Sequence, residues 1–136
     1  MTQNKDISTL DVEHRILGVL IDDKSKQGTI LSRVEAHHFN DDTTRLIFKK
    51  ILDLKKRKID IDTFSVSNAL KNKLSTYDIL NITNKADHTT NIESVILALI
   101  QNWSFNELTK TMFYLNESIN EDDSDPFDII DQIKKQ

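Results

Sequence analysis

The strongest pattern of apolar and polar positions lies in residues 39–70, which we predict to form two helices joined by a short connector. In the first of these helices, apolar residues recur at steps of three and four, the spacing that places side chains on one helix face. These residues are Ile47, Phe48, Ile51, Leu52 and Leu54. Asp41 or Asp42 is expected to cap this helix and Asp62 the second, because carboxylates accept the free N–H groups of a first turn.

The same spacing predicts two further helices near the start of the chain. We expect the first over residues 10–22, capped by Thr9, and the second over residues 27–34. Residues 22–26 are polar and are expected to form a loop between them. Residues 1–9 are expected to be disordered, because they are polar and terminal.

Residues 91–119 form the longest periodic segment, and Thr90 with Glu93 forms a capping box at its start. In its first half, apolar residues surround the helix almost completely, as they do in a buried helix. In its second half they lie on one face only. That face carries Phe105, Leu108, Met112, Leu115 and Ile119. A break of the helix near Ser104 is the alternative interpretation.

We therefore predict an all-α fold with a compact helical head, residues 1–103, of about five short helices. A projecting helical hairpin, residues 104–136, follows, and its second arm is expected to begin at Pro126 after Asp125. We expect the hairpin to pair with a second copy of the chain, because monomers avoid large exposed apolar patches. Closure within one chain is the alternative. The interface candidates are Phe105, Leu108, Met112, Leu115, Phe127, Ile130 and Ile133.

Composition supports this interpretation. The 136 residues include only 2 Gly and 1 Pro, which leaves few of the turns that β-hairpins need. Gly18 lies inside the first predicted helix at a cost of about 1 kcal/mol relative to Ala, so we expect a close helix crossing there. The absence of Cys excludes disulfides and fits a reducing cytoplasm, where we expect the protein to lie. No apolar run approaches the roughly 20 residues of a membrane span, so no membrane association is expected.

Charge is unevenly distributed around the net value of -4. Residues 43–58 contain seven Lys or Arg and one Asp, whereas residues 117–131 contain seven Asp or Glu and no basic residue. The acidic total and the lack of interleaved aromatic residues make direct nucleic-acid binding an unfavoured function. A solvated helix end is the commoner explanation of such a basic run. The possible nucleic-acid contacts are Lys49, Lys50, Lys55, Lys56, Arg57 and Lys58.

Catalytic patterns are missing from the sequence. The chain has no Gly-x-x-x-x-Gly-Lys-Ser/Thr segment, and Gly18 and Gly28 alone cannot form such a phosphate-binding loop. His37 and His38 are adjacent and point in different directions, which does not match the spacing of metal ligands in a helix. We therefore predict no catalytic residue, no cofactor and no metal site, and do not expect this chain to be an enzyme.

The pattern of residues 39–70 resembles the N-terminal domain of DnaB-type replicative DNA helicases. The matching residues are Phe39, Ile47-Phe48, Ile51, Leu54, Arg57, Ile61-Asp62, Ser65-Val66 and Leu70. A second match lies in the first helix, at Glu13, Leu17, Gly18 and Leu20. Thr44 stands where the family usually has His, and Lys58 stands where Gly is common. The resemblance extends from about Val12 to Gln136.

This resemblance implies a non-catalytic interaction and oligomerisation domain of the primosome. Such domains form a collar on a hexameric helicase, and the collar receives the C-terminal domain of the primase or a helicase loader. Two alternatives remain open: a free-standing relative that regulates helicase or primase, and a helical protein that binds nucleic acid through residues 49–58. The chain is either part of a longer ATP-dependent helicase or free-standing.

Overall fold

Every regular element in the part of the chain that the structure describes is helical. The computed structural model describes residues 8–86 and 91–119. Its helices are α1 (Thr9–Asp22), α2 (Lys24–Arg33), α3 (Asp42–Lys56), α4 (Thr63–Ala69), α5 (Thr76–Thr83) and α6 (Ile92–Ile119), with a 3-10 turn at Ala36–His38. The all-helical prediction is confirmed. None of the described helices has the length and apolar character that crossing a membrane requires.

Side-chain caps fix where several helices begin. Asp41 Oδ2 accepts hydrogen bonds from the N–H groups of Thr43 and Thr44 at the start of α3, each at 3.1 Å. Asp62 Oδ1 accepts one from the N–H of Ser65 at 2.7 Å in α4. Both carboxylates therefore occupy the predicted capping positions and satisfy N–H groups that have no partner within the helix.

The cap of α1 differs from the prediction. Ser8 Oγ accepts the N–H of Asp11 at 3.1 Å, and Thr9 is already the first helical residue. The expected disorder of residues 1–9 is therefore wrong for Ser8 and Thr9, because a hydroxyl one residue earlier caps the helix equally well. Residues 1–7 lie outside the described part of the chain.

The predicted loop at residues 22–26 is also wrong. Asp23 alone separates α1 from α2, and α2 begins at Lys24 and ends at Arg33. The N–H of Asp23 donates to the carbonyl of Val19 at 2.8 Å, while its carboxylate accepts the N–H of Ser25 at 3.1 Å. One residue thus ends a helix with its backbone and caps the next with its side chain.

The chain divides into two compact units, Met1–Gln101 and Asn102–Gln136. In the first unit, α1 packs closely against α5 at Gly18. A Cβ atom on Gly18 would lie 2.8 Å from the carbonyl oxygen of Ile82 and 3.1 Å from the backbone nitrogen of Ala86. The predicted close crossing is confirmed, and glycine is required because the neighbouring atoms belong to the backbone.

The core of the first unit contains the apolar face predicted for α3. Ile47, Phe48, Ile51 and Leu54 are buried, whereas Leu52, which was expected to widen this face, is exposed. The rings of Phe39 and Phe48 are in contact, with centroids 4.9 Å apart. Phe39 therefore closes the core next to α3. The apolar spacing therefore predicted the buried residues of α3 correctly, except for Leu52.

The long helix α6 is continuous from Ile92 to Ile119, so the alternative of a break near Ser104 is wrong. Thr90, the predicted cap, lies outside the described residues. Asn91 Oδ1 accepts the N–H of Glu93 at 2.9 Å at the start of the helix. The first half is not buried on all sides as expected, because Leu97 is 50% exposed.

Candidate interaction surface

The second half of α6 carries a row of exposed apolar side chains, which we call the α6 stripe. Its members lie three or four residues apart and therefore share one helix face. Phe105 is 68% exposed, Leu108 56%, Met112 61% and Ile119 56%, and Leu115 is half-buried. The structure thus brings the predicted candidates from Phe105 to Leu115 onto one surface. The remaining candidates, Phe127, Ile130 and Ile133, lie outside the described residues.

The sequence interpretation missed Phe113. This side chain is 66% exposed and follows Met112 by one residue, so it lies about 100° away from the α6 stripe around the helix. The signal that could have found it is an aromatic residue outside the main apolar face. An exposed aromatic ring is a large contact surface for a partner.

The basic residues at the end of α3 have different surroundings. Arg57 pairs with Asp53 at 3.0 Å. Lys55 and Lys58 line an open cleft of about 430 Å³ together with Lys24, which the sequence interpretation did not select. The remaining possible nucleic-acid contacts, Lys49, Lys50 and Lys56, do not line this cleft. Of the six basic residues, this cleft therefore brings together only Lys55 and Lys58.

Lys58 ends α3 in an unusual backbone conformation. Its φ angle is 62°, in the left-handed region that favours glycine. The N–H of Lys58 donates to the carbonyl of Lys55 at 3.0 Å, and the N–H of Ile59 donates to the carbonyl of Leu54 at 2.9 Å. This pair of bonds is a Schellman motif, in which the left-handed position is most often glycine.

A buried carboxylate joins α1 to the start of α3. Glu13 is only 1% exposed, and its oxygens accept the N–H groups of Asn40 at 3.0 Å and Asp41 at 3.3 Å. They also accept the hydroxyl of Thr44, which is fully buried. Three donors thus satisfy a charge that would otherwise be costly to bury. The arrangement holds two helices together and leaves no solvent-facing group for catalysis.

The pKa values of two histidines in the first unit, His14 and His38, are lower than usual. Burial lowers the pKa of His14, and the ammonium of Lys85, 3.0 Å from its ring nitrogen, lowers it further. Burial also lowers the pKa of His38, with a smaller contribution from the neighbouring His37. The Nδ1 atom of His38 accepts the N–H of Glu35 at 3.0 Å, so a proton placed on Nδ1 would break that bond.

Glu35, His37 and His38 form the cluster in the described chain that comes closest to a metal site. Their ligand atoms lie within 4.8 Å of one another. A neutral imidazole has one lone pair, and that of His38 already accepts the Glu35 N–H. Metal coordination would have to replace that hydrogen bond. The expectation that the protein binds no metal stays a prediction.

Comparison with known proteins relates this fold to one family. Residues 5–101 match the family model described as the DnaB-like helicase N terminal domain. The chain is also similar to the crystal structure of the N-terminal domain of DnaB helicase from Mycobacterium tuberculosis, with a TM-score of 0.80. That match covers 92% of each chain at 14% sequence identity, so it supports the fold. A search of curated proteins found no match.

The family match includes the residues that hold the first unit together. The buried Glu13, the tight crossing at Gly18 and the α3 face from Ile47 to Leu54 all lie within residues 5–101. The matched domain is the non-catalytic N-terminal part of a replicative helicase. Since the match covers most of the 136 residues, the chain belongs to the DnaB-like helicase N-terminal domain family.

Proposed function

We propose that this chain is an interaction and oligomerisation module of DNA replication, and that the α6 stripe is the surface through which its copies associate. The supporting observation is the exposure of Phe105, Leu108 and Met112 on one face of α6. Moving one such side chain from water into an apolar contact is worth about 1.5–3 kcal/mol. Several of them together favour association strongly enough to offset part of its entropic cost.

A second copy of the chain is the partner that fits this stripe. The same surface on two copies is self-complementary under two-fold symmetry, and an apolar helix face packs well against another. The sequence predicts a second helical segment with Phe127, Ile130 and Ile133, and we propose that it contributes to the same contact. The role of the protein is then mechanical: paired hairpins set the geometry of a collar on a replicative helicase.

We infer further that the assembled collar receives the C-terminal domain of a primase or a helicase loader. The support is membership of the helicase N-terminal family, together with exposed aromatic side chains outside the stripe, of which Phe113 is the most exposed on α6. Titration calorimetry of the full chain with each cognate partner tests this role. Saturable binding of either partner is expected, and binding of neither contradicts the role.

The test of self-association uses charged substitutions in the stripe. Leu108→Glu combined with Met112→Glu places carboxylates on the proposed contact and is expected to give monomers by light scattering. Phe113→Glu is the control, because Phe113 is a 66% exposed apolar residue of the same half of the helix that lies about 100° away from the stripe. The control is expected to keep the wild-type mass. Equal effects of the two changes, with helical content preserved in circular dichroism, would contradict the proposal.

A further inference from the structure

The cleft at the end of α3 brings together lysines from separate parts of the chain. Lys24 is the first residue of α2, Lys55 lies in the last turn of α3, and Lys58 follows that helix. Gln27 fixes one wall, since its amide donates to the carbonyl of Leu20 at 3.0 Å and to that of Ile61 at 3.3 Å. One wall of the cleft is therefore held by hydrogen bonds to the backbone, and its lining is basic.

The charges of this cleft are incompletely balanced. Lys24 lies 3.7 Å from the carboxylate of Asp60, and both side chains are exposed to solvent. Lys55 and Lys58 form no ion pair or hydrogen bond through their ammonium groups within the described residues. Three cations and one carboxylate leave an excess of two positive charges around about 430 Å³. An anion in the cleft would relieve the repulsion among the lysines.

The backbone at Lys58 is a second, independent feature of the cleft. A lysine holds the left-handed position of the α3 terminus, with a φ of 62°, where glycine would be unstrained. The two Schellman hydrogen bonds at the end of α3 hold this conformation, so the backbone that carries Lys58 is fixed beside the cleft. The hydrogen bonds of Lys58 and Ile59 also occupy the carbonyls of Lys55 and Leu54, which reduces the negative potential of the helix end toward the cleft.

We propose that this cleft binds a phosphoryl group through Lys24, Lys55 and Lys58. Ammonium groups bind phosphate oxygens as point charges, and two unpaired lysines can bind the oxygens of one phosphoryl group or of two adjacent ones. The cleft has no aromatic side chain that could stack on a base. Recognition is therefore of the phosphoryl group itself, whether that group belongs to a free polyphosphate or to a nucleic-acid strand.

The test is a nitrogen-15 NMR titration of the full chain at low ionic strength. One series uses inorganic pyrophosphate, and a second uses a single-stranded thymidine oligonucleotide. Saturable shifts centred on the amides of Lys24, Lys55, Lys58 and their neighbours are expected. Binding of pyrophosphate alone identifies a free polyphosphate as the source, and binding of the oligonucleotide in the same cleft identifies a nucleic-acid backbone. Absence of saturable shifts in both series overturns the proposal.

Lys58→Gly separates binding from folding. The substitution removes one cation and relieves the left-handed strain, so the variant should have a higher melting temperature and still bind at least tenfold more weakly. Lys49→Ala is the matched control, because it removes the same charge from α3 without touching the cleft. The control should bind within about twofold of the wild type, as expected from screening over distance. Equal weakening by both substitutions would show a diffuse charge effect and overturn the proposal.

Discussion

The hydroxyl of Thr44 donates a hydrogen bond to the carboxylate of Glu13, 31 residues earlier in the chain. The same hydroxyl lies 3.0 Å from the carbonyl of Asp41, but it has one proton, and the Glu13 oxygen is the nearer acceptor. This bond connects α1 with the first turn of α3 inside the core. The side chain of Thr44 thus provides a donor to the buried carboxylate.

Removing that donor should destabilise the fold. Thr44→Val keeps the shape of the side chain and deletes the hydroxyl, and we expect a loss of about 1–3 kcal/mol, typical of a hydrogen bond to a charged group. Urea denaturation followed by circular dichroism measures the change. Thr43→Val is the control, because Thr43 is exposed, and its loss should be well below 1 kcal/mol. A Thr44→Val variant as stable as the control would contradict the role of this bond.

Replacing Gly18 with alanine should lower the stability of the fold, whereas replacing Gly28 with alanine should raise it. At Gly18 the added Cβ meets backbone atoms of Ile82 and Ala86, so we expect Gly18→Ala to cost about 1–3 kcal/mol despite its better helix propensity. At Gly28, inside α2, nothing lies within 4 Å of the added atom. Gly28→Ala should therefore stabilise the protein by about 0.5–1 kcal/mol. Thermal melting of both variants measures this, and shifts of the same sign would argue against the packing at Gly18.

Lys58→Gly should also stabilise the chain. The left-handed conformation costs a non-glycine residue about 1 kcal/mol, and glycine adopts it freely. Lys58→Ala is the control, because alanine loses the same charge and keeps the same backbone penalty. Denaturant midpoints should rise more for the glycine variant than for the alanine variant. An equal rise in both variants would assign the effect to charge repulsion among the lysines.

Stability should fall as the pH is lowered from 7.5 to 5.5. The pKa values of His14 and His38 lie below the ordinary value of about 6.5 in the folded chain. As the pH decreases through that value, the unfolded chain takes up protons first, so the unfolded state is favoured. A variant with His14→Asn and His38→Asn should show a shallower decrease in its urea midpoint. A slope as steep as that of the wild type would contradict this assignment.

Local features of the fold could be predicted from the sequence, because they depend on neighbours within a few residues. The caps at Asp41 and Asp62 and the apolar spacing of α3 and α6 are of this kind. The link between Glu13 and Thr44 could not be predicted, since it depends on how two distant helices pack. The polarity of residues 22–26 predicts a loop there, and this prediction fails because Asp23 ends one helix with its backbone and caps the next with its side chain.

The surfaces were predictable to different degrees. The α6 stripe follows from helical spacing alone, so its members from Phe105 to Leu115 were selected before any packing was known. The lysine cleft was not predictable, because Lys24 comes near Lys55 and Lys58 only in the folded chain. A run of basic residues in sequence is therefore a poor guide to which charges share a site.

Sedimentation equilibrium of the full wild-type chain, measured over a wide range of protein concentrations, tests self-association through the α6 stripe most directly. The account predicts an average mass that rises with concentration above the 15.7 kDa of one chain and reaches at least twice that value. A mass that stays at 15.7 kDa at every concentration would contradict it.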